Sequence, residues 1–230
     1  MKIYGLQKMT LLDFPGHVAC TVFLNGCDFR CPFCHNYDLA CGRSPAVMEE
    51  EELLSFLGKR KGLLDGVAVT GGEPCLHTEL PQLLDSIRDM GFAVKLDTNG
   101  YHPRMLSRIM EEGLADYIAM DIKNSPGKYA MTAGLDEIEM ERVEESIGIL
   151  MHGGTEYEFR TTVVSELHGD QDFEEIGTMI RGAKRYFLQQ FTDRETVPYS
   201  NLHAPAEDDM RRFADIAARY VPQTQIRGMS

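Results

Sequence analysis

Three cysteines follow one apolar run at a spacing that suits a metal cluster. Cys27, Cys31 and Cys34 form the pattern C-x3-C-x2-C directly after Val18–Leu24. Thiolates are soft ligands that suit iron–sulfur clusters and zinc. Structural zinc sites usually gain a second Cys or His pair, but the sequence has none, and His35 adjoins Cys34 too closely to complete the tetrahedron. Three thiolates can instead hold three irons of a [4Fe–4S] cubane and leave the fourth iron open to a substrate.

The other cysteines and most histidines have no such spacing. Cys20 lies inside the apolar run and is predicted to be a core residue, whereas Cys41 and Cys75 have no companion at ligand spacing. We therefore expect a single cluster. Three isolated histidines are expected on the surface or in loops: His77, His168 and His203.

A glycine pair and a glutamate follow the next apolar run. Gly71 and Gly72 come directly after Gly66–Thr70 and precede Glu73. Because glycine has no side chain, the backbone here can approach a ligand closely and offer its carbonyls. Glu73 is a candidate to complement a cationic group of that ligand. The alternative is a simple Gly-Gly turn.

Charged residues stand at the ends of two later apolar runs and within a third. Asp97 and Asp121, the latter followed by Lys123, stand where buried strands are expected to finish, and Arg160 lies inside the expected strand Tyr157–Val164. Charges in such places need partners, so an ion pair between Asp and Lys is one explanation and ligand binding is the other. A guanidinium can bind a carboxylate with two hydrogen bonds, so Arg160 is either a ligand contact or a buried structural arginine.

Alternating apolar runs and amphipathic segments predict the elements that hold these residues. The alternation is typical of right-handed β-α-β units in a parallel sheet. Six units are too few for a closed eight-stranded barrel, so we expect an α/β fold, a partial (β/α)6 barrel with a lateral gap. The expected strands are Val18–Leu24, Gly66–Thr70, Ala93–Asp97, Tyr117–Asp121, Tyr157–Val164 and Tyr186–Phe191.

The chain is expected to form one domain over 1–230. Residues 1–16 are predicted as an N-terminal extension with an edge strand at Lys2–Lys8, and 204–230 as a C-terminal helix and tail. The cluster loop and the polar motifs then lie at strand C-termini, where barrel enzymes carry their active sites.

Charge and composition exclude several classes of function. The 230 residues carry a formal net charge of −13, which argues against nucleic-acid binding because that needs a basic footprint. No apolar run reaches the ~18 residues of a membrane span, and no signal peptide is evident. We therefore expect a cytoplasmic protein that binds neither membrane nor nucleic acid. Its six cysteines indicate metal or redox chemistry rather than a framework of disulfides.

The cysteine motif resembles that of the radical S-adenosylmethionine (SAM) superfamily, in which an aromatic residue such as Phe33 precedes the third cysteine. The resemblance implies that SAM chelates the open iron and that reduction cleaves it to a 5′-deoxyadenosyl radical. It implies that Cys27, Cys31 and Cys34 bind the cluster and, with Lys123, carry the catalysis. The implied cofactor-binding residues are Phe33, His35, Gly71, Gly72, Glu73, Asp97, Asp121, Lys123 and Arg160.

Further motifs resemble the activating enzymes of glycyl-radical enzymes. These motifs are Asp13–Gly16, Cys34–Asn36, Thr70–Pro74, Asp97–Gly100 and Asp121–Lys123. Gly5–Lys8 is most similar to the short activating proteins of anaerobic ribonucleoside-triphosphate reductase. The resemblance implies that reductase as the partner and an electron donor such as flavodoxin or ferredoxin. It also implies, more weakly, a monovalent cation at Asp97, Thr98 and Asp121.

Two other functions stay open at this point. One is a radical SAM enzyme that acts on a small molecule, similar to the 7-carboxy-7-deazaguanine synthases, which are also short. The other is a non-catalytic iron–sulfur redox module.

Overall fold

A computed structural model describes residues 1–229, in which strands and helices alternate along most of the chain. The strands are β1 (Lys2–Ile3), β2 (Gly5–Thr10), β3 (Ala19–Leu24), β4 (Met48–Glu49), β5 (Gly66–Gly71), β6 (Ala93–Thr98), β7 (Tyr117–Asp121), β8 (Glu156–Val163), β9 (Tyr186–Gln190) and β10 (Thr224–Arg227). The helices are α1 (Tyr37–Ala40), α2 (Glu50–Gly58), α3 (Leu80–Asp89), α4 (Pro103–Glu111), α5 (Pro126–Ala133), α6 (Met140–His152), α7 (Asp170–Met179) and α8 (Glu207–Ala218), with a short 3₁₀ helix at Pro74–Leu76.

The main sheet has the strand order β10-β9-β8-β7-β6-β5-β3-β2. Strands β3 and β5 to β10 run parallel, and β2 pairs antiparallel with β3 at one edge. The six predicted strands correspond to β3 and β5 to β9. The predicted edge strand Lys2–Lys8 is divided in the structure. Its first residues form β1, which pairs with β4 outside the main sheet, and the edge strand of the main sheet is β2, Gly5–Thr10.

The C-terminal segment forms an element that the sequence reasoning missed. Residues Thr224–Arg227 pair with β9, in register from Thr224↔Tyr186 to Arg227↔Gln189. The expected tail is therefore wrong for these four residues, which add a seventh parallel strand after α8.

Burial explains why the parallel strands read as nearly continuous apolar runs. Consecutive residues of β3, β5 and β7 are buried, so both faces of these strands are covered, as is usual for parallel sheets. Helix α3 buries Leu83, Leu84 and Ile87 on one stripe. Replacing Leu84 with Ala would cost about 2–5 kcal/mol of stability. Within 1–229, no helix is both long and apolar enough to cross a membrane.

Strand register sets the position of the site. Leu24 pairs with Gly71, Thr98 with Met120, and Asp121 with Arg160. The carboxyl ends of β3 and β5 to β8 therefore meet at one edge, and the loops that follow them surround one opening.

Candidate active site

One cavity lies at this edge of the sheet. Together with the open solvent at its mouth, it measures about 940 Å³. Its walls include every residue that the sequence analysis proposed as a ligand, namely Cys27, Cys31, Phe33, Cys34, His35, Gly71, Gly72, Glu73, Asp97, Thr98, Asp121, Lys123 and Arg160.

The three cysteines of the loop after β3 face this cavity as thiols in a low-dielectric setting. Burial raises the pKa of Cys27 to about 12, and the charge of Glu73 adds to that shift. Burial likewise raises the pKa of Cys31 to about 11, and it raises the pKa of Cys34. Such thiols become ligands only when a metal displaces their protons.

The three cysteines do not form a site for a single metal ion. Among residues 1–229, no three His, Cys, Asp or Glu side chains lie close enough together to hold one metal ion. In a cubane each thiolate binds a different iron, so the cysteines must surround a shared space rather than a point. Cys27, Cys31 and Cys34 line such a space.

Gly71 and Gly72 bring the loop after β5 against the cluster loop. Gly71 has φ +129°, and a Cβ on it would overlap the backbone of Leu24. A Cβ on Gly72 would overlap the carbonyl of Gly26. Both glycines therefore allow the loop after β5 to pack against the backbone of β3 and the cluster loop, as well as to line the cavity. The Asn36 side-chain amide donates to the Gly71 carbonyl at 3.2 Å.

Glu73 joins two loops of the cavity wall. Its side chain is 1% exposed and accepts from Cys75 N (2.9 Å), Thr98 Oγ1 (2.8 Å) and Asn99 N (2.6 Å). Burial raises the pKa of Glu73, and these three donors oppose the shift. Glu73 thus fixes the loop after β6 to the loop after β5, a role that its motif alone did not indicate.

Three cations and two carboxylates form a network on the opposite wall. Arg160 Nε donates to Asp121 Oδ1 at 2.9 Å, and its Nη1 donates to Asp97 Oδ2 at 3.4 Å. Lys123 Nζ donates to Asp121 Oδ2 at 3.0 Å, and Lys95 donates to Asp97 Oδ1. The expected ion pairs are therefore present, and Asp97, Asp121, Lys123 and Arg160 also face the cavity.

The network shifts the titration of its members. Burial alone would raise the pKa of Asp121, but the charges of Arg160 and Lys123 lower it to about 2. Burial alone would lower the pKa of Lys123, but the charge of Asp121 raises it. Both groups are charged at neutral pH.

His35 connects the cluster loop to the far side of the mouth. Its ring stacks on Phe191 with centroids 5.7 Å apart and an interplanar angle of 9°, and Nε2 donates to the Thr192 carbonyl at 2.7 Å. Phe191 follows β9, so this contact spans the opening between the first and sixth parallel strands.

His168 lies in the loop between β8 and α7, one of its two expected positions, but it is buried there. Its Nδ1 accepts from Val164 N at 3.1 Å, which places the proton on Nε2, and Nε2 donates to the Lys123 carbonyl at 2.9 Å. His168 therefore holds the backbone that carries Lys123. The contact links residues 45 apart in sequence, and a lone histidine gives no signal of it.

Several residues in the cavity wall or next to it were missed or only quoted within a motif. Asn99 belongs to Asp97–Gly100, and its side-chain amide donates to Cys27 Sγ at 3.7 Å. Lys95 lies two residues before Asp97 and thus on the same face of β6, a signal that could have found it. Phe29 and Thr162 also line the cavity.

Comparisons with known proteins find a family profile and several relatives. A sequence profile of the radical SAM superfamily matches residues 21–181. A protein of Methanocaldococcus jannaschii, provisionally named a glycyl-radical enzyme activating enzyme, is 28% identical over 98% of this chain and 95% of its own length. The pyruvate formate-lyase-activating enzyme of Clostridium pasteurianum is 33% identical over 54% of this chain and 52% of its own. A 7-carboxy-7-deazaguanine synthase of Halobacterium salinarum is 23% identical over 97% of this chain and 86% of its own.

A solved structure shares the fold. TYW1 with a lysine-pyruvate adduct bound has a TM-score of 0.68 and 16% identity, over 88% of this chain and 74% of that one. The likeness confirms the predicted α/β fold with its mostly parallel sheet.

Proposed function

The chain belongs to the radical SAM superfamily, and we propose that it activates a glycyl-radical enzyme. The observation that carries this proposal is the cavity in which three thiols face the network of Asp97, Asp121, Lys123 and Arg160. Such a site suits a cluster and a zwitterionic cofactor side by side.

Family membership implies a [4Fe–4S] cluster and SAM as cofactors. When bound, the reduced cluster would supply the one electron that breaks the S–C5′ bond of SAM, giving methionine and a 5′-deoxyadenosyl radical that takes a hydrogen atom from the substrate. In our proposal Cys27, Cys31 and Cys34 hold the cluster.

The charged wall is proposed to hold SAM. The ammonium of Lys123 and the guanidinium of Arg160 are suited to its carboxylate, since charge-assisted hydrogen bonds are the strong ones. Carbonyls near Gly71 and Gly72 are proposed to accept from its ammonium group. Glu73 orders this loop through its three hydrogen bonds, and the aromatic rings of Phe33 and His35 are proposed to flank the adenosine.

The substrate is proposed to be a glycine of a large partner, most specifically an anaerobic ribonucleotide reductase. Two relatives named as activating enzymes support this class of substrate, one of them over nearly the whole chain. Gly5–Lys8 supports the reductase in particular through its resemblance to that group. In our proposal, the lateral gap expected of a partial barrel admits a peptide loop of the partner. We propose flavodoxin or ferredoxin as the electron donor.

The proposal is tested by incubating the reduced holoprotein with SAM and a candidate reductase from the same cell. We expect 5′-deoxyadenosine in proportion to the partner, and a loss of that dependence when the partner's radical glycine is replaced by alanine. An amount of 5′-deoxyadenosine that does not depend on the concentration of the partner would contradict the proposal.

A second candidate is a synthase acting on a small molecule. The 7-carboxy-7-deazaguanine synthase relative favours it, because that match also spans nearly the whole chain. Production of 7-carboxy-7-deazaguanine by the isolated holoprotein would support this candidate against the first.

A further inference from the structure

We propose that the ammonium of Lys95 permanently fills the place beside Asp97 that a bound monovalent cation would take, so that SAM binding here needs no such cation. The proposal rests on SAM binding in this cavity, not on the identity of the partner enzyme. Lys95 thereby acts as a positioning residue that holds Asp97.

Lys95 is an unusual residue for the interior of a parallel strand. Its side chain is 2% exposed, and in the described part of the chain its ammonium has one hydrogen-bonding partner, the Oδ1 atom of Asp97. Because a buried charge is costly unless it is paired, the position makes sense only with that carboxylate. Side chains two residues apart on a strand share a face, so Lys95 approaches Asp97 from the barrel interior below the cavity.

The oxygens that a cation would need are already occupied. Asp97 meets Lys95 through Oδ1 and Arg160 through Oδ2. Asp121 meets Arg160 through Oδ1 and Lys123 through Oδ2. All four carboxylate oxygens therefore face a side-chain cation.

Thr98, the third residue expected at a cation site, is also engaged. Its hydroxyl donates to Glu73 Oε1 at 2.8 Å and accepts from Gly100 N at 3.1 Å. The residues Asp97, Thr98 and Asp121 thus do not fit a monovalent cation in this chain.

The charge balance leads to the same conclusion. Three cations against two carboxylates leave the network with one net positive charge. Glu158, whose charge also reaches Arg160, is itself neutralised by Arg227, which donates to it at 2.7 and 2.9 Å. A small cation would enter a site that is already positive and would have to displace an ammonium.

The test is the affinity of the anaerobically reconstituted holoprotein for SAM in three salts of equal ionic strength. These are potassium, sodium and N-methylglucamine chloride, the last of which has a cation too large for the site. Binding is followed by the change that SAM causes in the electron paramagnetic resonance (EPR) spectrum of the reduced cluster. No partner enzyme is present, so failure here is separate from failure of the activase proposal.

For the natural protein we expect the same affinity in all three salts, within about twofold. Lys95→Ala removes the ammonium and leaves space, whereas Lys95→Met removes the charge and fills the space. In N-methylglucamine both variants should bind SAM about tenfold or more weakly. Potassium or sodium should restore Lys95→Ala but not Lys95→Met. Lys184→Ala, which removes an exposed ion pair with Glu156, should respond to none of the salts.

Two results would overturn the proposal. One is a natural protein whose affinity for SAM falls about tenfold when alkali cations are withdrawn, a measurement that needs no variant to fold. The other is a Lys95→Ala variant that binds SAM in N-methylglucamine as tightly as the natural protein does. That result would show that the Lys95 ammonium does not contribute to SAM binding.

Discussion

Removal of the Asn99 side-chain amide should lower the reduction potential of the cluster. Asn99 is 5% exposed and is held by its backbone N–H, which donates to Glu73 at 2.6 Å. The side-chain atom next to Tyr101 N, at 2.9 Å, must be the oxygen Oδ1, because a backbone N–H can only donate. The side-chain NH2 group therefore points toward the cysteine loop. That group lies 3.7 Å from Cys27 Sγ, which also accepts from Phe29 N at 3.3 Å.

The size of the effect follows from this geometry. A hydrogen bond to a charged group contributes about 1.5–3 kcal/mol, and a 3.7 Å contact to sulfur is at the weak end. The bond favours the reduced cluster because that state carries more negative charge on its sulfurs. If about half of the bond energy distinguishes the two states, the midpoint shifts by about 30–60 mV, since one decade is about 59 mV for one electron.

The assay is an EPR-monitored redox titration of the reconstituted protein without SAM. Asn99→Leu should titrate at a lower potential with its iron content unchanged. The matched control is Asn36→Leu, which removes an amide from the same cavity whose donor contact is to the Gly71 carbonyl, and it should keep the natural potential. An unchanged midpoint in Asn99→Leu with four irons bound would refute the reasoning.

Three other predictions concern the same cavity. Replacing Cys27, Cys31 or Cys34 with Ala should abolish the [4Fe–4S] cluster, whereas Ala at Cys20, Cys41 or Cys75 should not; iron and sulfide analysis checks this, and four irons retained in Cys31→Ala would count against it. Lys123→Ala and Asp97→Ala should keep the cluster but weaken SAM binding or slow its cleavage about 10- to 150-fold, on the scale of one lost charge-assisted bond; full activity of both variants would reduce these residues to structural charges. The pKa of Asp121 in the folded protein is about 2, against an ordinary 3.8, so its ion pairs should stabilise the protein by about 2 kcal/mol above about pH 4 and lose this contribution as the pH falls toward 2. In denaturant titrations, the free energy of unfolding of Asp121→Asn should therefore fall less steeply with acid than that of the natural protein, and an equally steep fall would contradict the prediction.

Much of the fold was predictable because parallel strands buried on both faces are apolar throughout. The run Tyr117–Asp121 was predicted with the same limits that the structure gives. Thr224–Arg227 was missed because it has one aliphatic residue, Ile226, and is partly exposed. These residues form a strand because they pair with β9, and their own sequence does not predict this.

Cavity residues were predictable where they form a motif of fixed spacing in the sequence. They were not predictable where the role of a residue depends on its contacts with distant parts of the chain. The spacing of Cys27, Cys31 and Cys34 identified, without any structure, a loop that lines the cavity. The roles of Glu73 and His168 depend on which loops lie opposite them, and no local pattern encodes that. Lys95 differs, because its partner Asp97 lies two residues on along the same strand.

The most direct test of the central claim is an EPR measurement on the reduced holoprotein with SAM and its glycyl-radical partner. We predict a glycine-centred doublet in the partner, formed together with 5′-deoxyadenosine. The doublet should collapse when the partner's glycines carry deuterium at the α-carbon. Formation of 5′-deoxyadenosine while every glycyl-radical enzyme of the same cell stays free of radical would contradict the account.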